Sequence, residues 1–188
     1  MAAKTKSRMG ADDFMADGNA IPIPDLSGSA GLSDGRWRSD HAARMNADFE
    51  NALQRLPHGR SFRFVDALTS LNPGHDATAI YQVRGGEAFL EGHFPGNPMM
   101  PGVILLEAIA QLGGVVAQTD PDVPALGDLR LTGIRAAKIL GAAVPGDVLE
   151  IRAKVEGRMG GLVQIDGEIT VAGQTMATAR VTLSGTFS

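Results

Sequence analysis

Apolar and polar residues alternate along most of the last third of this chain. Val148 to Glu156 puts Ile151, Ala153 and Val155 on one face and Glu150, Arg152, Lys154 and Glu156 on the other. Leu162 to Val171 points Val163, Ile165, Ile169 and Val171 one way, and Thr175 to Leu183 does the same with Ala177, Ala179, Val181 and Leu183. A period of two is the signature of strands with one buried face. The connections, Arg158-Met159-Gly160-Gly161 and Ala172-Gly173-Gln174, are short, so the three strands form an antiparallel meander. Upstream, Phe62 to Ser70 and Thr78 to Arg84 also read as strands, with Asn72-Pro73-Gly74 as the turn between them and Gly85-Gly86 as the break.

Two segments have a helical period instead. Asp40 is placed to cap a helix from His41 to Leu56, whose stripe is Met45, Phe49, Leu53 and Leu56 and which Pro57 stops. Val103 to Gln118 is almost wholly apolar and begins just after Pro101. Gly113-Gly114 inside it costs roughly 1 kcal/mol per glycine relative to alanine. Close approach of another backbone explains that cost, either the same helix of a second subunit or a sheet wrapped tightly around this one. A long apolar helix and a one-faced antiparallel sheet have one economical packing, in which the sheet curls round the helix. The expected class is α+β.

The chain has 188 residues, 44% hydrophobic and 20% charged, which suits one domain, here 41–188, preceded by a tail, 1–40. The tail is rich in Gly, Ser, Ala and Asp and reads as flexible. The other reading is a docking arm that packs through Ile21, Ile23, Leu26 and Trp37. With no Cys, disulfides, thiolate metal sites and a cysteine nucleophile are excluded, and a cytoplasmic setting fits. A net charge of -4 without a long basic run argues against a nucleic-acid partner. The apolar run from Val103 to Ala117 is too short for a membrane span and carries Glu107. Lys4, Lys6 and Arg8 are followed by Asp12, Asp13 and Asp17 rather than by an apolar core, so no secretory signal is expected. No phosphate loop or dinucleotide fingerprint is present.

The candidate chemistry lies at Gly92-His93-Phe94-Pro95-Gly96-Asn97-Pro98-Met99-Met100-Pro101-Gly102. Its three prolines and three glycines fix the backbone around His93 before any side chain acts. The helix that follows carries Glu107 among apolar neighbours, where a carboxyl is expected to be buried and is costly unless paired or used. Gln111, one turn further on the same face, is placed to orient it. An imidazole near a desolvated carboxyl is equipment for proton transfer. Met99 and Met100 suit an apolar wall, His58 is expected to be structural, and His41 and His75 are expected at the surface.

The order His93-Phe94-Pro95-Gly96, Pro98, Met100-Pro101-Gly102, then Glu107-Ala108, Ala110-Gln111, resembles the signature of FabZ-type (3R)-3-hydroxyacyl-ACP dehydratases. Leu56-Pro57-His58, Val65-Asp66, Gly133-Ile134 and Val144-Pro145-Gly146-Asp147 extend the likeness from roughly Phe49 to Leu183. The resemblance implies a hotdog fold, a homodimer or a trimer of dimers, and dehydration of an acyl-carrier or CoA thioester to the trans-2-enoyl product. It implies no metal and no cofactor beyond the pantetheine of the substrate. His93 would take the C2 proton and Glu107 would protonate the departing 3-hydroxyl. The Gly102 N–H would receive the thioester carbonyl. Phe94, Pro101 and Gln111 would contact substrate. The His and Glu of one site would come from opposite subunits. An acidic carrier would meet Arg60, Arg63, Arg135 and Lys138. The chain departs from the family at Gly59-Arg60-Ser61, where an aromatic and a proline are usual, and at the apolar stretch Ile139-Leu140-Gly141-Ala142-Ala143, where the family is basic. A hotdog acyl thioesterase and a non-catalytic acyl-thioester-binding module are the competing readings.

Overall fold

The computed structural model describes the backbone of residues 34–187 and the side chains of residues 44–187. The first 33 residues, which hold Ile21, Ile23 and Leu26 of the tail, lie outside the described residues, as does the Trp37 side chain. Helix α1 spans Asp34–Leu53. It therefore begins before Asp40, which lies inside the helix rather than capping it, and it ends short of Leu56. Of the predicted stripe, Leu53 and Leu56 are buried, Phe49 packs partly on the core and Met45 is exposed.

Six strands follow in one antiparallel sheet: β1 (Ala67–Asn72), β2 (Asp76–Gln82), β3 (Leu126–Ile139), β4 (Val148–Met159), β5 (Leu162–Val171) and β6 (Gln174–Phe187), ordered β1-β2-β4-β5-β6-β3. The short helix α2 (Ala88–Glu91) and the long helix α3 (Gly102–Gln118) lie between β2 and β3. The sheet curves round α3, which is the hotdog arrangement. Leu105, Ile109, Leu112 and Val116 of α3 are fully buried, as are Leu149, Ile151, Ile165, Ile169 and Val181 of the sheet. Full burial of one such side chain is worth about 2 kcal/mol. Among the described residues, no helix is long and apolar enough to cross a membrane.

The expected alternation holds where one face of a strand is buried and fails elsewhere. Ala79, Tyr81 and Val83 face inward as expected, and so do Val163, Ile165, Ile169, Ala177, Ala179, Val181 and Leu183. Phe62 and Phe64 lie outside any strand. Arg60–Phe62 forms a single 3₁₀ turn, and the sheet begins only at Ala67. Strand β3 was not anticipated. It pairs with β6 alone, has three register shifts, and holds Asp128 and Ala136 at positive φ, and its burial alternates only as far as Ile134.

The sheet comes close to α3 at two glycines. A Cβ on Gly113 would stand 2.8 Å from Ile165 Cγ1, and one on Gly167 of β5 would overlap the Ile109 side chain. Side-chain contact with a wrapped sheet thus accounts for Gly113. The C-terminal carbonyls of α3, which have no partners within the helix, are met by two guanidiniums. Arg158 Nη2 donates to Ala117 O at 2.9 Å and Arg55 Nη1 donates to Gln118 O at 2.8 Å.

A polar cluster anchors the step from β2 to α2. Glu87 accepts from the N–H groups of Arg84 and Gly85 at 2.7 Å each and from the Tyr81 hydroxyl at 3.1 Å. Asp66 accepts from Arg84 Nη2 and from Gln82 N at 2.8 Å each. Burial opposes the charge on Glu87, but the Arg84 N–H, its own N–H, the Tyr81 hydroxyl and the Gly85 N–H together outweigh it, and the carboxyl is held below its usual range. Burial first, and the Glu87 charge second, push the Tyr81 phenol up, so it stays a donor.

Replacing Gly113 by Ala crowds Ile165, at a typical overpacking cost of about 1–3 kcal/mol against a helix-propensity gain of about 1 kcal/mol. Urea unfolding of Gly113→Ala is expected to show a net loss of about 1 kcal/mol, and equal or higher stability contradicts the tight contact. Because the folded-state pKa of Glu87 is depressed, its contribution is present above the pH where an unfolded Glu titrates and is lost as pH falls through the folded value. Glu87→Gln is expected to lose about 1 kcal/mol at neutral pH after allowance for partial exposure. Parallel urea titrations should show that deficit shrinking below about pH 4, and a deficit that grows toward acid contradicts this assignment.

Candidate active site

His93 lies just beyond α2, where its N–H donates to Leu90 O at 3.3 Å. Its Nδ1 is 2.9 Å from the Met99 carbonyl. A carbonyl can only accept, so Nδ1 carries the proton and the neutral ring presents a free lone pair on Nε2. The ring is half-buried and meets Phe94 edge-on at 4.6 Å. Phe94 is held at φ 56°, in the left-handed region that disfavours an aromatic residue. The turn closed by Asn97 N on Phe94 O at 2.9 Å keeps it there. Met100 N donates to Ala143 O at 2.7 Å and fixes the far end of the loop. Sequence order therefore sets the imidazole in a frame of backbone bonds, and that frame selects its tautomer.

Pro101 is the N-cap of α3 and has no side chain that could cap it. Ile104 N and Leu105 N both turn back to Pro101 O, which leaves the Gly102 and Val103 N–H groups without a partner among the described residues. That end of a helix carries partial positive charge. A Cβ on Gly102 would stand 3.0 Å from Ile139 Cγ1, so the end of β3 lies against the beginning of α3.

Glu107 is half-buried, its side chain 21% exposed, rather than buried as expected. The reason is the helix face. The sheet covers the rest of α3, whereas Val103, Glu107, Gly114 and Gln118 form the stripe it leaves uncovered. Gln111, on the edge of that stripe, is 2% exposed and fully engaged. Its Nε2 donates to Glu107 Oε1 at 3.0 Å and to Phe62 O at 2.9 Å, and its Oε1 accepts from Phe64 N at 2.9 Å. One Glu107 oxygen is thereby held as an acceptor, and Oε2 is left for a proton.

His58 differs from expectation. Expected to be structural and without a chemical partner, it has its Nε2 3.4 Å from Glu107 Oε1, and its buried Nδ1 has no partner among the described residues. The adjacent Pro57 was the only local signal, and no spacing rule connects residue 58 with residue 107. Glu107, Gln111 and His58 line one cavity of about 750 Å³ that continues along α3 past Gly114 to Gln118 and is walled by Leu126, Leu129, Leu131 and Leu183.

His93, Phe94, Pro101 and Gly102 do not line that cavity within one protomer. Phe94 is 58% exposed. Arg60 is exposed on the turn beside the cavity, and Arg135 and Lys138 are exposed on the outer half of β3. Arg63 is half-buried, and its Nε has no partner among the described residues. His75 is exposed, and the side chain of His41 lies outside the described residues. Met100 is buried and Met99 half-buried. The structure thus offers an imidazole of fixed tautomer, a carboxyl with one oxygen tied, a bare helix start and a groove walled in part by leucines. These are the parts needed to move protons on a substrate with an apolar tail.

The FabA-like domain family matches residues 56–180. A 3-hydroxyacyl-[acyl-carrier-protein] dehydratase FabZ of Syntrophotalea carbinolica is 36% identical over 142 residues, 73% of this chain and 93% of that protein. The FabZ of Nitratidesulfovibrio vulgaris is 37% identical over 142 residues, 72% of this chain and 91% of that protein. Among solved structures, the dehydratase heterocomplex ApeI:P from Xenorhabdus doucetiae aligns with TM-score 0.60 and 20% identity, covering 71% of this chain and 90% of that one, a likeness of fold. Loop, helix start, carboxyl and flanking strands all fall inside the matched region, and the chain belongs to the FabZ-type family of 3-hydroxyacyl-ACP dehydratases.

Proposed function

We propose that this chain dehydrates carrier-linked (3R)-3-hydroxyacyl thioesters to trans-2-enoyl thioesters, with His93 as base and Glu107 as acid. The observation that supports this most directly is the His93–Met99 hydrogen bond, because it engages Nδ1 as the donor and makes Nε2 the nitrogen that accepts in the neutral tautomer. The C2–H bond breaks and its proton goes to Nε2. The negative charge developing on the thioester oxygen is met by the Gly102 N–H at the start of α3. The electron pair forms the C2–C3 double bond and the C3–O bond breaks. The hydroxyl leaves as water with the proton from Glu107 Oε2. His93 ends protonated and Glu107 ends as a carboxylate, so one proton must pass back before the next cycle.

The two groups face one substrate in a dimer. Support comes from the free edge of β3 and from a run of exposed apolar residues around the α3 start: Val103 at 73%, Ile139 at 49% and Leu140 at 61% exposed. A second copy that covers this patch brings its own His93 loop to the Glu107 cavity. Arg60, Arg63, Arg135 and Lys138 supply cationic contacts for an acidic carrier.

Incubation with a 3-hydroxyacyl thioester and a saturated acyl thioester side by side tests the reaction. Enoyl absorbance from the first and no free thiol from either is expected. Free thiol from both without enoyl product means a thioesterase, and binding with neither means a binding module. His93→Ala and Glu107→Gln are each expected to lower kcat/KM about a thousandfold, and retained turnover in either contradicts its assigned role.

A further inference from the structure

Most polar side chains that line the cavity are engaged with one another or with the backbone. Gln118 exchanges two hydrogen bonds with Leu126, and Arg55 Nη1 donates to Gln118 O at 2.8 Å. Arg130 lies 3.8 Å from Asp128, and Gln111 joins Glu107 to the segment of Phe62 and Phe64. His58 is the exception. Its Nδ1 is buried with no partner among the described residues, and its Nε2 stands 3.4 Å from Glu107 Oε1.

The chain on both sides of His58 is pinned. Leu56 is 7% exposed, and its N–H donates to Leu53 O at 3.1 Å. Pro57 stiffens the next step. Phe62 N donates to Gly59 O at 2.9 Å, and Phe62 O accepts from Gln111 Nε2 at 2.9 Å. The amide that binds the Glu107 carboxyl therefore also holds the segment that carries the His58 ring.

The facing atoms select a tautomer for His58. Glu107 Oε1 already accepts from Gln111 and offers no proton to a second group. A neutral His58 ring with its proton on Nδ1 would bury an N–H without an acceptor and turn a lone pair toward that oxygen. With the proton on Nε2, the ring becomes a donor to Oε1 and leaves only a lone pair buried, the lesser loss. His58 is thus the reverse of His93, in which the Met99 carbonyl draws the proton to Nδ1. The 3.4 Å gap is longer than the roughly 2.9 Å of a formed N–H···O bond, and such contacts tighten in the reacting complex. One bond, from Gln111, leaves the carboxyl free to pivot about Oε1. A second donor, reaching it from a different element, removes that freedom.

We infer that His58 is a positioning residue for the reaction: as an Nε2–H donor to Glu107 Oε1 it fixes, together with Gln111, the plane of the carboxyl, so that Oε2 presents its proton to the departing hydroxyl. The inference rests on the dehydratase reading and adds a residue to its machinery.

The test compares wild type, His58→Leu, His58→Gln, Glu107→Gln and the double variant His58→Leu with Glu107→Gln. The substrates are 3-hydroxybutanoyl and 3-hydroxydodecanoyl thioesters of one carrier, and the readouts are enoyl absorbance and thermal melting. His58→Leu removes the donor and is expected to lower kcat about thirtyfold with KM within about threefold of wild type. His58→Gln keeps an N–H donor at similar reach and is expected to recover most of that loss. In the Glu107→Gln background, His58→Leu is expected to lower turnover less than about twofold, because the carboxyl it serves is gone. A rise in KM at unchanged kcat marks a cavity wall and overturns the inference. Equal losses in His58→Leu and His58→Gln, or a full further loss in the Glu107→Gln background, overturn it as well. One readout needs no variant of altered kcat. In wild type carrying ¹⁵N-labelled histidine, the ring signal that His58→Gln deletes is expected to show a proton on Nε2, and a bare Nε2 overturns the inference even if His58→Leu fails to fold. An active wild type whose kcat His58→Leu leaves unchanged overturns the inference alone. A wild type that forms enoyl product from neither substrate overturns the dehydratase reading and the inference with it.

Discussion

A single buried amide holds the two halves of the candidate site in register. Gln111 binds Phe62 O and Phe64 N on one side and Glu107 on the other. Without it, the Phe64 N–H and the Phe62 carbonyl would lose their partners beside the core, at about 1–3 kcal/mol for each buried group left unsatisfied. The segment carrying Pro57, His58 and Phe62 would then have no fixed distance from α3. That distance is the width of the cavity. The same side chain binds Glu107, so one amide sets both the width of the cavity and the orientation of the carboxyl that lines it.

A second frame, built mostly of backbone, holds His93. Glu87 gathers two N–H groups and a hydroxyl at the start of α2, and the prolines beyond stiffen the chain up to the Met99 carbonyl that receives Nδ1–H. Neither frame needs the other within a protomer. The shared element is α3, whose first turn ends the His93 loop and whose uncovered stripe carries Glu107. This division accounts for a cavity that the Glu107 carboxyl lines and the His93 imidazole does not.

Much of the fold could be read from the chain because burial is one-sided in β4, β5 and β6, and one-sided burial imposes alternation. Strand β3 could not be read. An edge strand with bulges at Asp128 and Ala136 keeps a half-buried face only as far as Gly133, and its outer half is exposed on both faces. Phe62 and Phe64 alternate like a strand, yet their backbone groups are taken by an amide from a helix, a partner that no local pattern signals. His93, Glu107 and Gln111 stood out because charge or amide among apolar residues, and a histidine in a proline-bound loop, are costly without a purpose. The His58–Glu107 approach, the half-exposure of Glu107 and the different surroundings of Gly113 and Gly114 all depend on which face the sheet covers, which only the folded chain shows.

The central claim is that base and acid of one site come from two subunits, and mixed dimers test it most directly. Chains carrying His93→Ala and chains carrying Glu107→Gln, separately tagged, can be co-expressed and the mixed dimer isolated by both tags. If the site is shared, one of its two sites is intact, and the mixed dimer should regain about half of wild-type dehydration from two inactive parents. A mixed dimer as inactive as its parents, with wild type active under the same conditions, contradicts the shared site.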